Sequence, residues 1–124
     1  MNGCAFPVAW NGRHATITLP GEIDIANARQ AKDEISALLA QQPAACILDM
    51  TGTHFCDSSG IAALIHAAKR AAVLGVPLRL ATAGPVTRIL NMTGTGRFIA
   101  TYPTVQAALS DTTSPPPGTG KPAT

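Results

Sequence analysis

The side chains with the most chemistry in them fall in one short run, FCDSSG at residues 55–60. It offers a thiol (Cys56), a carboxylate (Asp57) and two hydroxyls (Ser58 and Ser59), with His54 just before it and His66 further along. A Ser-His-Asp nucleophile needs its base within about 3 Å of the hydroxyl. No G-x-S-x-G elbow is present, and His66 would stand roughly 10 Å along a helix from Ser59, at about 1.5 Å per residue. His54 could approach only through the loop. A Cys56–His54 thiol pair is opposed by the commoner fate of a small cysteine, which is burial. Cys4, Cys46, His54 and His66 lack metal-ligand spacing, and no G-x-x-x-x-G-K-[ST] run would cradle a nucleotide. Neither an enzyme nor a cofactor or metal site is therefore expected. What remains is helix-start chemistry. Asp and Ser side chains accept hydrogen bonds from a helix's unpaired amides, and an exposed hydroxyl beside those amides lies in a field that favours an anion. Two readings stay open at this point: the acid and the serines are ordinary helix caps, or one serine takes a phosphate.

Positioning that run requires a strand before it and a helix after it. ACILDM (45–50) is a continuous apolar run of the kind found in a strand covered on both faces. The helix after FCDSSG should reach about Leu74, with Gly75 as its C-terminal cap. Upstream, AFPVA (5–9) and ATITL (15–19) read as strands around Asn11-Gly12, a strong hairpin signal, with Pro7 confining the first to an edge. After PGEIDIAN, Ala28, Ala31, Ile35, Leu38 and Leu39 recur at helical spacing until Pro43. VPLRLAT (76–82) is a further strand. A short helix opens on Pro85, carries Val86, Ile89 and Leu90, and ends near Gly94. RFIATY is the last strand, and Thr104 caps a final helix with Val105, Ala108 and Leu109 facing inward. Strand–helix alternation after a hairpin predicts an α/β domain with a mixed sheet, parallel where helices make the crossovers. The domain should occupy 1–110. The composition of 111–124 (DTTSPPPGTGKPAT) cannot bury apolar surface and predicts a disordered tail.

On a wheel of about 100° per residue, Ile61, Leu64, Ile65, Ala68 and Ala72 form the stripe expected to face the sheet. Ser59 then falls about 160° from Ile61 and Ser58 about 60° from it. Ser58 is thus expected as the internal capping hydroxyl and Ser59 as the exposed one. The same wheel places Ala62, His66, Lys69 and Val73 on an exposed flank suited to docking, or simply to water.

Composition narrows the partners. A chain of 124 residues, 46% hydrophobic, has room for one core. A net charge of +2 without a basic run, and an aromatic content of only 4%, argue against nucleic acid. No stretch of about 18 uncharged apolar residues would span a membrane. The N-terminal MNGCAFPVAW lacks a signal-peptide pattern. Three irregularly spaced cysteines make no disulfide framework. A cytoplasmic location with reduced thiols is expected.

From Gly21 to about Leu109 the sequence resembles the STAS domain of anti-sigma factor antagonists, the anti-anti-sigma proteins of bacterial partner switching. GEIDIANA (21–28), LDMTGTHFCDSSGIAALI (48–65) and VTRILNMTG (86–94) carry the resemblance, in that order. It implies a mixed β-sheet with helices packed mainly on one face. It also implies a protein that, when unphosphorylated, binds an anti-sigma factor that is itself a serine kinase, and so releases the sigma factor. By position the phosphoacceptor is Ser59, the second serine of D-S-S-G, flanked by Asp57, Ser58 and Gly60. A PP2C-type, metal-dependent phosphatase would reset the switch. Glu22 and Asp24 would lie near the same surface, either as partner contacts or as ordinary helix-start acids. Cys56 stands where a bulkier apolar residue is common in the family, and Ala62 where a glycine often follows. The rival within the family is a scaffold subunit of a transporter or signalling assembly that keeps the fold without the switch.

Overall fold

The structure is a computed structural model and describes residues 6–111. Seven strands and four helices follow one another as β1 (Val8–Asn11), β2 (His14–Thr18), β3 (Glu22–Ile23), α1 (Ala28–Ala40), β4 (Ala45–Met50), β5 (Phe55–Cys56), α2 (Ser58–Leu74), β6 (Leu78–Thr82), α3 (Gly84–Thr93), β7 (Ala100–Tyr102) and α4 (Val105–Ser110). Five strands form one sheet in the order β1-β2-β4-β6-β7, and β3 and β5 form a separate pair. β1 is antiparallel to β2; β2, β4, β6 and β7 are mutually parallel, as crossover helices demand.

The hairpin forms one residue later than expected. Asn11 pairs with His14, and the turn consists of Gly12 and Arg13, with Gly12 at φ 62° supplying the left-handed backbone. β1 is an edge strand, and Pro7, which precedes it, accepts through its carbonyl from the Thr18 amide at 2.9 Å.

Alternation along each strand sorts the core. Ala15 and Ile17 of β2, Cys46, Leu48 and Met50 of β4, and Leu78 and Leu80 of β6 point to one face, where α1, α2 and α3 cover them. α1 buries Ala28, Ala31, Ile35, Leu38 and Leu39, the five positions its periodicity requires. α3 buries Val86 and Leu90, with Pro85 in its first turn. The opposite face carries Thr16, Ile47 and Arg79, aligned across the sheet by register. Among the described residues the helix that closes it is α4, whose Ala108 carbonyl accepts from Arg79 Nη1 at 3.0 Å. Helices therefore pack mainly on one face. Of the residues expected to face inward from α4, only Ala108 is fully buried; Val105 and Leu109 are partly buried.

The folded unit extends to Asp111, whose carboxylate accepts from the Tyr102 hydroxyl. The rest of the expected tail, 112–124, lies outside the described residues, as do residues 1–5 with Cys4.

Candidate functional site

The short strands β3 and β5 were hidden in the sequence, and they build the site. They pair in parallel, Glu22 with Phe55 and Ile23 with Cys56. Flanking bonds extend the ladder: the His54 amide donates to the Gly21 carbonyl at 2.8 Å, and the Asp57 amide to the Ile23 carbonyl at 3.1 Å. The GEID segment and the FCDSSG segment, 33 residues apart at Glu22 and Phe55, thus lie side by side. Each leads into a helix, so α1 and α2 start from one platform.

Two anchors hold that platform, one buried and one partly exposed. Thr53, 1% exposed, donates from its hydroxyl to the Pro20 carbonyl at 2.7 Å. Asn27 accepts from the Asp24 amide at 3.0 Å and donates to the Glu22 carbonyl at 2.9 Å. The Asp24 carboxylate accepts from the Ala26 amide at 2.9 Å, which makes it a local turn-former. Glu22 is exposed and lies in register with Phe55.

Asp57 is the N-cap of α2. Its backbone is extended, and Oδ1 accepts from the amides of Ser59 at 2.9 Å and Gly60 at 3.1 Å. This corrects the expectation that Ser58 caps the helix. Ser58 is exposed and Ser59 partly buried, the reverse of the order the wheel suggested. The cause is the helix's rotation. The buried stripe is Gly60, Ala63, Leu64, Ala67 and Ala71, whereas Ile61 and Ile65 are only partly buried and Ala72 is exposed. The burying arc is turned by about 100°, one residue's rotation. That places Ser58 opposite the core and Ser59 at the margin of the stripe. α2 lies close against α1 and the β3–β5 pair, and close approach selects small side chains over large ones. Gly60 shows how close: a Cβ there would meet Cys56 Sγ at 2.5 Å and Ile23 Cγ2 at 2.9 Å.

Neither serine hydroxyl makes a hydrogen bond among the described residues. The helix ends at Gly75 in the left-handed region, with Val76 N bonded to the Ala71 carbonyl and Gly75 N to that of Ala72, a Schellman closure.

The remaining residues singled out from sequence behave differently. Ala62, His66, Lys69 and Val73 are all exposed, but they run away from the platform along α2. Val73 stands about 21 Å along the helix axis from Ser59. The His54 ring stands over Gly21, whose hypothetical Cβ would lie 3.2 Å from Nε2. Burial, with Asp57 nearby as the lesser cause, pushes the Cys56 thiol up to about 11, and burial alone pushes Cys46 up to about 12. Both sulfurs therefore remain protonated and poorly nucleophilic at neutral pH. Among the described residues no three His, Cys, Asp or Glu side chains group to hold a metal ion, and no helix is long and apolar enough to cross a membrane.

Two exposed apolar residues at the platform escaped the sequence reading, Ile25 (81% exposed) and Phe55 (46%). Ile25 had a signal: it is an aliphatic residue just before α1 that falls outside the helix's apolar stripe.

A mixed sheet covered by three helices on one face and one on the other, with a short β-pair launching α1 and α2, defines a class of domain. Residues 6–108 match the STAS domain, and the chain belongs to that family. A candidate anti-anti-sigma factor of Mycobacterium tuberculosis is 36% identical over 110 residues, covering 86% of this chain and 74% of its own. An anti-sigma factor antagonist from Mycobacterium paratuberculosis superposes with a TM-score of 0.77 at 24% identity, over 85% of this chain and 90% of that one. The Bacillus cell fate determinant SpoIIAA in its phosphorylated form does so with a TM-score of 0.64 at 23% identity, over 85% and 96%.

Proposed function

We propose that this protein is an anti-sigma factor antagonist of the bacterial cytoplasm. Unphosphorylated, it binds a cognate anti-sigma factor that is also a serine kinase, and phosphorylation at Ser59 ends the binding. A PP2C-type phosphatase restores it. The docking surface consists of Glu22, Asp24 and the start of α2, continued along Ala62, His66, Lys69 and Val73. The chain itself needs no cofactor and performs no catalysis; the nucleotide belongs to the kinase.

One observation carries this reading. Asp57 caps the helix, so among the described residues two serine hydroxyls stand at its N-terminus with no structural bond. A phosphate on Ser59 adds about −1.5 to −2 charges at pH 7. It would sit in the favourable field of the α2 amides, two residues from the Asp57 carboxylate. A partner packed over the patch must desolvate that dianion, at a cost of several kcal/mol unless it supplies dedicated cations. About 1.4 kcal/mol is tenfold in affinity, so a loss of a hundredfold or more follows.

The partial burial of Ser59 beside an exposed Ser58 favours the second reading, a STAS scaffold without the switch. One experiment separates the two. The protein is incubated with ATP, Mg²⁺ and each candidate kinase-type anti-sigma factor of its organism, then mapped by mass spectrometry, and Ser59→Glu is compared with wild type in pull-downs. The switch requires phosphate on Ser59 and loss of partner with Ser59→Glu. No phosphate with any kinase, and equal capture of both proteins, would establish the scaffold instead.

A further inference from the structure

The face of the sheet opposite the candidate site rests on a small element. α4 has six residues, too few to be a stable helix alone, and its one fully buried side chain is Ala108. Beneath it lies Arg79, 5% exposed, on β6. Nη1 donates to the Ala108 carbonyl at 3.0 Å, and Nε has no hydrogen-bond partner among the described residues. Tyr102 shares this face, since it pairs with Ala81, the second residue after Arg79. Its hydroxyl donates to the carboxylate of Asp111, the residue that ends α4. Burial first, and that bond second, push the Tyr102 hydroxyl up to about 12, while Arg79 acts in the opposite sense, so the three groups form one cluster.

A dehydrated guanidinium with an idle donor opposes its own burial. When α4 lifts, Arg79 regains water, at the cost of exposing the fully buried Ile47 beside it. We infer that α4 is a hinged cover that opens as a unit while the rest of the domain stays folded, with Arg79 pushing it off and the Tyr102–Asp111 bond holding it down. Opening bares Ile47 and Arg79, a second surface remote from Ser59 in the fold. Such sub-global opening is the behaviour of elements with few buried contacts.

Native-state amide hydrogen exchange tests this on the full chain. The α4 amide of Ala108 should exchange at least about a hundredfold faster than those of Leu48 and Leu80. Arg79→Met removes the buried charge and keeps the bulk, and should slow exchange in α4 about tenfold or more relative to β4. Asp111→Asn weakens the hold and should speed α4 severalfold with Leu48 unchanged. The inference is overturned if Ala108 exchanges at the rate of Leu48 and Leu80. It is equally overturned if Arg79→Met speeds α4, or if Asp111→Asn shifts α4 and the strands together.

Discussion

Replacing Gly60 by alanine puts one methyl group where β3, β5 and α2 converge. Its Cβ would lie 2.5 Å from Cys56 Sγ, 2.9 Å from Ile23 Cγ2 and 3.2 Å from Ile23 Cβ. Ordinary nonbonded contacts are about 3.5–4.0 Å, so the sulfur must retreat by about 1 Å. It has little freedom to do so, because Cys56 is 4% exposed and its neighbours are tied by the β3–β5 ladder. Overpacking of this kind costs about 1–3 kcal/mol, and tethering on both sides argues for the upper end. Alanine returns about 1 kcal/mol through its higher helix propensity. The net loss is about 2 kcal/mol, or a fall in Tm of roughly 10 °C for a domain of this size. Urea and thermal unfolding followed by circular dichroism measure it directly. Cys56→Ala in the Gly60→Ala background removes the nearest clash and leaves the one with Ile23, so about half of the loss should return. The coupling between the two sites should be about 1 kcal/mol. A Gly60→Ala protein as stable as wild type, or more so, would show that propensity outweighs packing and that α2 does not sit as tightly as described. Failure of Cys56→Ala to restore anything would refute the assignment of the clash.

Two further outcomes follow from the cap and the thiols. Asp57→Ala should cost about 1–2 kcal/mol, because both capped amides lose their acceptor, whereas exposed Ser58→Ala should stay within about 0.5 kcal/mol; chemical denaturation of the two variants checks the order. Cys46 and Cys56 should resist a thiol reagent such as DTNB in the native state at pH 8 and react only on unfolding. Their folded pKa values lie above those of the unfolded thiols, so the native state holds more protons in alkaline solution. Their contribution is fully present below about pH 8.5 and is lost as pH rises through about 11 for Cys56, which a series of urea midpoints would show as a decline from about pH 9 upward.

Most of the scaffold can be read from local pattern because its elements are long and strongly periodic. α1 is the clearest instance, since the five positions at helical spacing, Ala28, Ala31, Ile35, Leu38 and Leu39, are all buried and its large apolar side chains are all among them. β4 is as plain, for no helix is expected from a six-residue run, apolar but for Asp49, that ends at a turn. The site is harder to read. β3 and β5 contribute two residues each, too few for any period, and they owe their existence to each other. Their pairing is a fact of the fold, invisible until β2 and β4 lie side by side and carry the two loops out at the same end.

The rotation of α2 is the more instructive failure. Ranking positions by hydrophobicity favoured Ile61 and Ile65, yet the helix turns Gly60, Ala63, Ala67 and Ala71 inward. Alanine loses no side-chain entropy in a helix and allows two backbones to approach, so a seam against another helix is made of small residues. In a helix with alanine at about one position in three, size rather than apolarity distinguishes seam from flank. That rotation bears on function. It sets Ser59 at the seam's margin, in the same first turn that Asp57 caps, and gives Ser58 the open position. Under the proposed switch, a kinase acting on Ser59 would have to engage the cap as well as the hydroxyl. This turns Asp57 from a flanking residue into the group whose removal should impair folding and phosphorylation together.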